Sequence, residues 1–496
     1  MRYLRFILFA VLSLFYFFMY QGVLSHVIFY HEQHQLFLFS SNYFQQTLQT
    51  EGVPGYITNF VIQFFYIHQL GSAILALILG SVYLLLNQVI RTITGRDDLL
   101  QVAVIPSLFL FFYTMPVDNS LKLPVAVFVI LLLLNILILI SKRLFKRKKY
   151  IHIPPLLNNR LSVAVTVVLL FSYAGYGYYH FMKSYNVSEH IMVKAEQHAR
   201  SGNWEKVLEY TGNYLGRGRS NQLISYFHNL ALYHKGELPY RLFDHPQALG
   251  VESLYFPWNS DSRESEYGYM LYEKLGYINE AHRWEFEAMV VWGETAPHLM
   301  NLARYNLVNG RPLVAQRFIN ILKQSLFYRD EATKMEEGSD EIMPSLPHNS
   351  LKNVVDSPAR FANVLNIGPE LQHLLEKDPT NQMAFEYLMS QLLLSNHVER
   401  FAKSLRYIRN FSYTALPATY EEALYIYQLG VSSEEFAEIG FTVSDETKRR
   451  FARYYELVQA NETDKLNSEF GSSYWYYLNY ISPYGNKVIT DDKKMQ

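Results

Sequence analysis

Residues 141–150 read SKRLFKRKKY. Six cationic side chains, Lys142, Arg143, Lys146, Arg147, Lys148 and Lys149, follow directly on the apolar run from Leu123 to Ile140, in which Asn135 is the one polar residue. Each Lys or Arg at the centre of a bilayer-crossing helix costs about 2.5–3.5 kcal/mol on insertion scales, so this block stays on the side of the membrane where it is made. The orientation of every neighbouring apolar segment is set by it.

Five segments are predicted to span: residues 6–25, 70–86, 99–115, 123–140 and 161–179. Each carries about 17 to 20 residues of apolar character, close to the 20 or so a helix needs to cross the roughly 30 Å hydrocarbon core. The third is delimited or kinked at Pro106. In the second, Ser72, Ala76 and Gly80 recur every fourth residue, a spacing that lets another helix backbone approach closely and places this face inside a bundle. With the amino terminus inside, Arg2, Arg5, Arg91, Arg96, the six-cation block and Arg160 lie on the cytoplasmic side, against Lys122 alone outside. This asymmetry puts residues 183 onward outside, which in a bacterium is the periplasm. The expected setting is therefore the bacterial inner membrane, with membrane lipids as one partner.

Charge divides where the apolar runs stop. Residues 1–182 hold 12 Lys/Arg against 5 Asp/Glu, and the remainder 32 against 40. A mildly acidic, soluble second half argues against nucleic-acid binding. The absence of cysteine excludes disulfides, thiolate metal sites and cysteine nucleophiles. No phosphate-binding loop, dinucleotide fingerprint, nucleophile elbow or HExxH pattern is present, and no cofactor is expected.

Residues 26–55, expected as an outer loop, contain no Lys or Arg and group His26, His31, Glu32 and His34 beside the membrane. Neutral imidazoles and a carboxylate are ordinary zinc ligands, so the histidines are metal-ligand candidates. HEQH is nevertheless one residue short of the i, i+4 spacing of a zincin. Glu32 is the candidate general base of an alternative reading, a membrane-embedded transferase acting on a lipid-linked glycan substrate. The run YHEQHQLFLFSSNYF, followed by a second aromatic approach and a helical carboxyl-terminal half, resembles an uncharacterised Bacteroidetes membrane-protein family known only as a domain of unknown function. The resemblance implies an inner-membrane protein and assigns neither activity nor catalytic residues.

Beyond residue 183 the turn glycines Gly202, Gly236, Gly276 and Gly310 are separated by 34, 40 and 34 residues, near the 34-residue period of tetratricopeptide repeats. Small residues Ala195, Ala281, Ala303, Ala315, Ser390 and Ala402 stand where partner helices must approach. The sequence thus predicts an all-α chain, a five-span transmembrane bundle followed by a tetratricopeptide-like α-solenoid. Its repeat blocks cover residues 183–327 and 359–496, separated by a loop insertion at 328–358. The aromatic close of the second block, with Tyr474, Trp475, Tyr476 and Tyr477, reads either as a packed cap or as a partner- or glycan-binding platform. The functional expectation is a membrane-anchored scaffold or assembly factor that binds a protein or glycan outside the membrane, with the membrane-embedded transferase as the alternative.

Overall fold

The computed structural model of the chain describes residues 3–95, 98, 100–145, 159–257, 262–338 and 366–485; side chains at 142–145, 159–160 and 162–163 fall outside that description. All regular structure among the described residues is helical. The chain forms two compact units. One comprises Met1–Val193, Trp292–Met300 and Gln316–Glu337, and the other Lys194–Val291, Asn301–Ala315 and Gly338–Gln496.

In the first unit the helices are α1 (Leu4–Gln21), α2 (Ser25–His34), α3 (Ser41–Thr50), α4 (Gly52–Ile62), α5 (His68–Thr94), α6 (Val104–Tyr113), α7 (Lys122–Phe145) and α8 (Asn159–Ser184). Among the described residues three of them, α1, α5 and α7 through Ser141, are long and apolar enough to cross a membrane. The central one is α5, against which α1, α6 and α7 all pack. Its small-residue face is buried as expected. Ser72 and Ala76 are inaccessible, and a Cβ at Gly80 would collide with Ser13 Oγ of α1. Arg5 at the start of α1 bonds to Gln88 near the end of α5 at 2.5 Å, so these two helices run antiparallel. Gly95 ends α5 in the left-handed conformation that Gly adopts without a Cβ clash.

The expected third span needs correction. Only ten residues, Val104–Tyr113, are helical, about 15 Å of rise, which is half a hydrocarbon core. Residues 100–103 and 114–121 flank this helix without regular helix of their own. Beside α1 the segment runs parallel: Tyr16 Oη lies 2.9 Å from Ser107 Oγ, and Tyr20 Oη 2.6 Å from Thr114 Oγ1. Non-helical backbone buried inside a unit persists where its polar groups are satisfied by the protein. Here the Ala103 amide donates to Asp98 Oδ2 at 3.0 Å, Tyr173 Oη to the Leu100 carbonyl at 3.1 Å, and Asn119 Nδ2 to the Tyr113 carbonyl at 2.8 Å. Pro106 sits in the first turn of α6, where its missing N–H costs nothing. The fifth expected span falls within α8, part of whose side chains lie outside the described residues. So does most of the basic block: Lys146, Arg147, Lys148 and Lys149 are not described, and Lys142 and Arg143 are described in backbone only.

The expected outer loop is also corrected, because α2 and α3 occupy most of residues 26–55. Ser40 caps α3 by accepting from the Tyr43 amide at 3.2 Å. Phe37, Tyr43, Tyr56 and Phe60 then form an edge-to-face aromatic cluster that holds α3 and α4 together.

The second unit is a series of helical hairpins. Val187–Arg200, part of this unit from Lys194 on, is followed by Trp204–Leu215, Gly268–Leu275 by Ile278–Trp292, part of it through Val291, Gln382–Leu394 by Val398–Ser404, and Asp445–Gln459 by Thr463–Phe470. The turn residues Gly202, Gly236, Gly276 and Gly310 all have positive φ, as does Asn396. Ala195, Ala281, Ala303, Ala315, Ser390 and Ala402 are buried. The 40-residue spacing has a local cause. After Gly236 the second helix lasts only Leu238–Arg241, with Pro239 in its first turn, and up to residue 257 the chain adds only a 3₁₀ turn at Gly250–Ser253. The 328–358 insertion is not wholly a loop, since Arg329–Glu336 is a helix, with Asp330 and Glu331 in its first turn and Lys334 in its last matching the helix dipole. Residues 339–365 lie outside the described residues.

The aromatic close is a core rather than a platform. Trp475 packs with Tyr454, Leu457, Leu466 and Phe470, and Tyr474 and Tyr477 are equally buried, with Tyr476 half-buried against the cluster. Glu422, also buried, accepts from the Tyr474 amide at 2.8 Å and pairs with Arg450 at 2.9 Å, while its own carbonyl accepts from Trp475 Nε1 at 3.0 Å. Burial pushes the Glu422 carboxyl up to about 7 against the opposing pull of these partners.

Candidate functional site

Helix α2 carries the residues singled out in the sequence, and its geometry separates them. His26, Tyr30 and His34 follow at intervals of four and share a face, whereas Glu32 points to another. Eight residues separate His26 from His34, about 12 Å along the axis, so one ion cannot take both. Among the described residues no group of three or more His, Asp or Glu side chains is placed to hold a metal.

Each candidate has its own surroundings. His26 is buried, with Nδ1 3.0 Å from His190 Nδ1 and Nε2 3.9 Å from Glu189 Oε1. Glu189 Oε1 also accepts from the Val117 amide at 3.3 Å. His34 turns Nδ1 to the Tyr30 carbonyl at 2.8 Å and stacks on the Tyr30 ring, with Trp292 edge-on at 5.3 Å. Tyr30 Oη reaches Asp118 at 3.5 Å. His31 is enclosed, and burial together with the neighbouring His34 pushes its pKa down to about 3, so its ring is neutral. Its Nε2 has no hydrogen-bond partner among the described residues.

Glu32 is 8% exposed and accepts hydrogen bonds from Tyr328 Oη and Gln33 Nε2. Tyr328 is held by its ring as well, edge-on to Tyr66 at 5.3 Å, while Tyr66 stacks on Phe327 at 5.1 Å. Burial and the Glu32 carboxylate both hold the Tyr328 phenol well above its usual range, which keeps the proton on tyrosine and the bond directed at Glu32. The backbone joins the same region, the Phe39 amide donating to the Gln324 carbonyl at 2.9 Å. A general base must reach the proton that it abstracts. Here both carboxylate oxygens are engaged by side chains of the unit itself, so the arrangement pins α2 to residues 324–328.

Sequence reasoning did not find Tyr328, Trp292, His190 or Glu189. They come from 150 or more residues along the chain from α2, and the only trace is the aromatic pair Phe327-Tyr328 at the edge of a charged segment.

Residues 1–191 and 179–481 match the family of unknown function DUF6057. The chain belongs to this family. No curated protein and no solved structure matches it. Membership covers both units, including α2 and the helical hairpins, and adds no assigned activity to either.

Proposed function

We propose that this DUF6057 member is a membrane-anchored scaffold or assembly factor of the bacterial inner membrane. In this reading α1, α5, α7 and α8, with the short passage through α6, make five crossings, the amino terminus is cytoplasmic, and the second unit stands in the periplasm. There its hairpins stack as a tetratricopeptide-like solenoid and bind a protein or glycan partner. The observation that carries the reading is the second unit itself. Consecutive helical pairs turn at left-handed Gly or Asn residues over buried alanines, a construction that in helical-repeat proteins offers an extended binding surface. The charge asymmetry about the basic block supports the orientation.

The transferase alternative needs Glu32 as a base, and the engagement of its carboxylate by Tyr328 and Gln33 weighs against that role. Two substitutions separate the classes. Glu32→Gln keeps shape and most hydrogen bonding, so a scaffold retains its cellular phenotype, whereas general-base catalysis falls by about 10²- to 10⁴-fold. Ala303→Arg forces a long cation into a fully buried site. A scaffold loses its phenotype with that change. A null phenotype from Glu32→Gln at normal protein level would overturn the scaffold reading.

A further inference from the structure

An elongated apolar groove of about 530 Å³ lies in the first unit between α1, α6 and α8, within the 300–1,000 Å³ typical of ligand sites. It exists because α6 is short and α8 is locally thin. Val11, Phe15 and Met19 of α1, Phe112 of α6, and the small residues Ala174 and Gly177 of α8 are among its lining residues. A Cβ at Gly177 would have Phe112 Cζ at 3.8 Å as its neighbour, so the space beside it is free. The α1 lining runs from Leu8 to Met19, about 17 Å of helix at 1.5 Å per residue, and the groove continues to Val23 just past the helix end.

Lining and length select the occupant. The lining is apolar apart from the hydroxyls of Tyr173 and Tyr178, which suits a hydrocarbon chain rather than a polar ligand. The length exceeds the roughly 15 Å that one leaflet contributes to the bilayer core, so a chain in the groove lies extended rather than coiled. At one end the lining closes on Phe181 and Met182, where His180 sits edge-on to Phe112 at 4.5 Å and the exposed Lys183 follows. A cation at the end of an apolar slot complements an anionic headgroup. We propose that this groove is a lipid site holding one extended acyl chain of an anionic phospholipid, with the headgroup phosphate at Lys183. The proposal rests on the membrane-spanning reading of this unit.

The test uses full-length protein in vesicles of phosphatidylethanolamine and phosphatidylglycerol, with trace phosphatidylglycerol carrying a photoreactive diazirine on its acyl chain. Labelled peptides are mapped by mass spectrometry. Label is expected on residues 104–113 and 170–182. Gly177→Phe and Ala174→Phe, which fill the groove from α8, are expected to reduce that label at least fivefold. Ile130→Phe, on the exposed face of α7, is expected to leave it unchanged. Lys183→Gln is expected to lower labelling by the phosphatidylglycerol probe but not by a phosphatidylcholine probe. Equal labelling of wild type and both groove-filling variants would mean ordinary boundary lipid and overturn the site, as would a cross-link joining two copies through this face. Alkaline extraction of each sample separates the two readings: release of wild-type protein from the membrane defeats the membrane-spanning reading, whereas retention with unchanged labelling defeats the groove alone.

Discussion

Replacing Trp475 by alanine tests whether the aromatic close is structure or surface. The indole is 1% exposed and lies within aromatic contact of Phe451, Tyr454 and Phe470. A buried tryptophan removes about 150–250 Å² from water, which at about 25 cal/mol per Å² corresponds to roughly 4–6 kcal/mol. Measured truncations of large buried aromatics cost about 3–5 kcal/mol, and the loss here includes the Nε1 bond to the Glu422 carbonyl. The expected destabilisation is therefore about 4 kcal/mol, a large share of the usual stability of a domain. Denaturant unfolding of the full chain in mild detergent, followed by circular dichroism and by proteolysis within residues 445–481, measures it. Tyr480→Ala is the control, since that ring is 48% exposed and is expected to cost under about 1 kcal/mol. A Trp475→Ala protein with unchanged unfolding and impaired partner capture would refute the core assignment and restore the platform.

Gly80→Leu drives a side chain into Ser13 and Phe9 of α1, and overpacking of this kind costs about 1–3 kcal/mol. The variant is expected to lower the melting temperature in detergent, with Leu77→Phe on the exposed face of α5 as the silent control. Burial lowers the pKa of His228, bonded to Thr211 at 2.8 Å, to about 3, against about 6.5 when unfolded. The unfolded chain therefore takes up the proton first. Stability from this residue is complete above pH 6.5 and is lost toward pH 3 at about 1.4 kcal/mol per unit, a slope that His228→Gln is expected to flatten in unfolding measured between pH 7 and 4.

What the sequence made legible was what local chemistry decides. Apolar runs in α1, α5 and α7, the small-residue face at Ser72, Ala76 and Gly80, and the turn glycines of the hairpins all follow from one stretch of chain at a time. The shortening of α6 did not, because the satisfied non-helical backbone around it depends on Asp98, Asn119 and Tyr173, the last 73 residues from its partner. The helices in residues 26–55 were obscured by a mixture of aromatic and polar residues with no clean amphipathic period. Burial of Trp475 is settled by Glu422, 53 residues earlier, and the engagement of Glu32 by Tyr328, 296 residues later. Neither partner has a sequence signature. The candidate site was therefore visible as a cluster of suitable residue types and invisible as a set of committed contacts.

In-cell photo-cross-linking from the second unit tests the scaffold claim most directly. A photoreactive amino acid is placed at Phe286, Val290 or Leu313, large apolar side chains that this unit leaves exposed, and at Trp475 as a buried control. The expected result is a recurrent adduct with an extracytoplasmic protein or glycan from the exposed positions and none from Trp475. Adducts with cytosolic proteins, or no adduct from any exposed position at normal protein level, would contradict it.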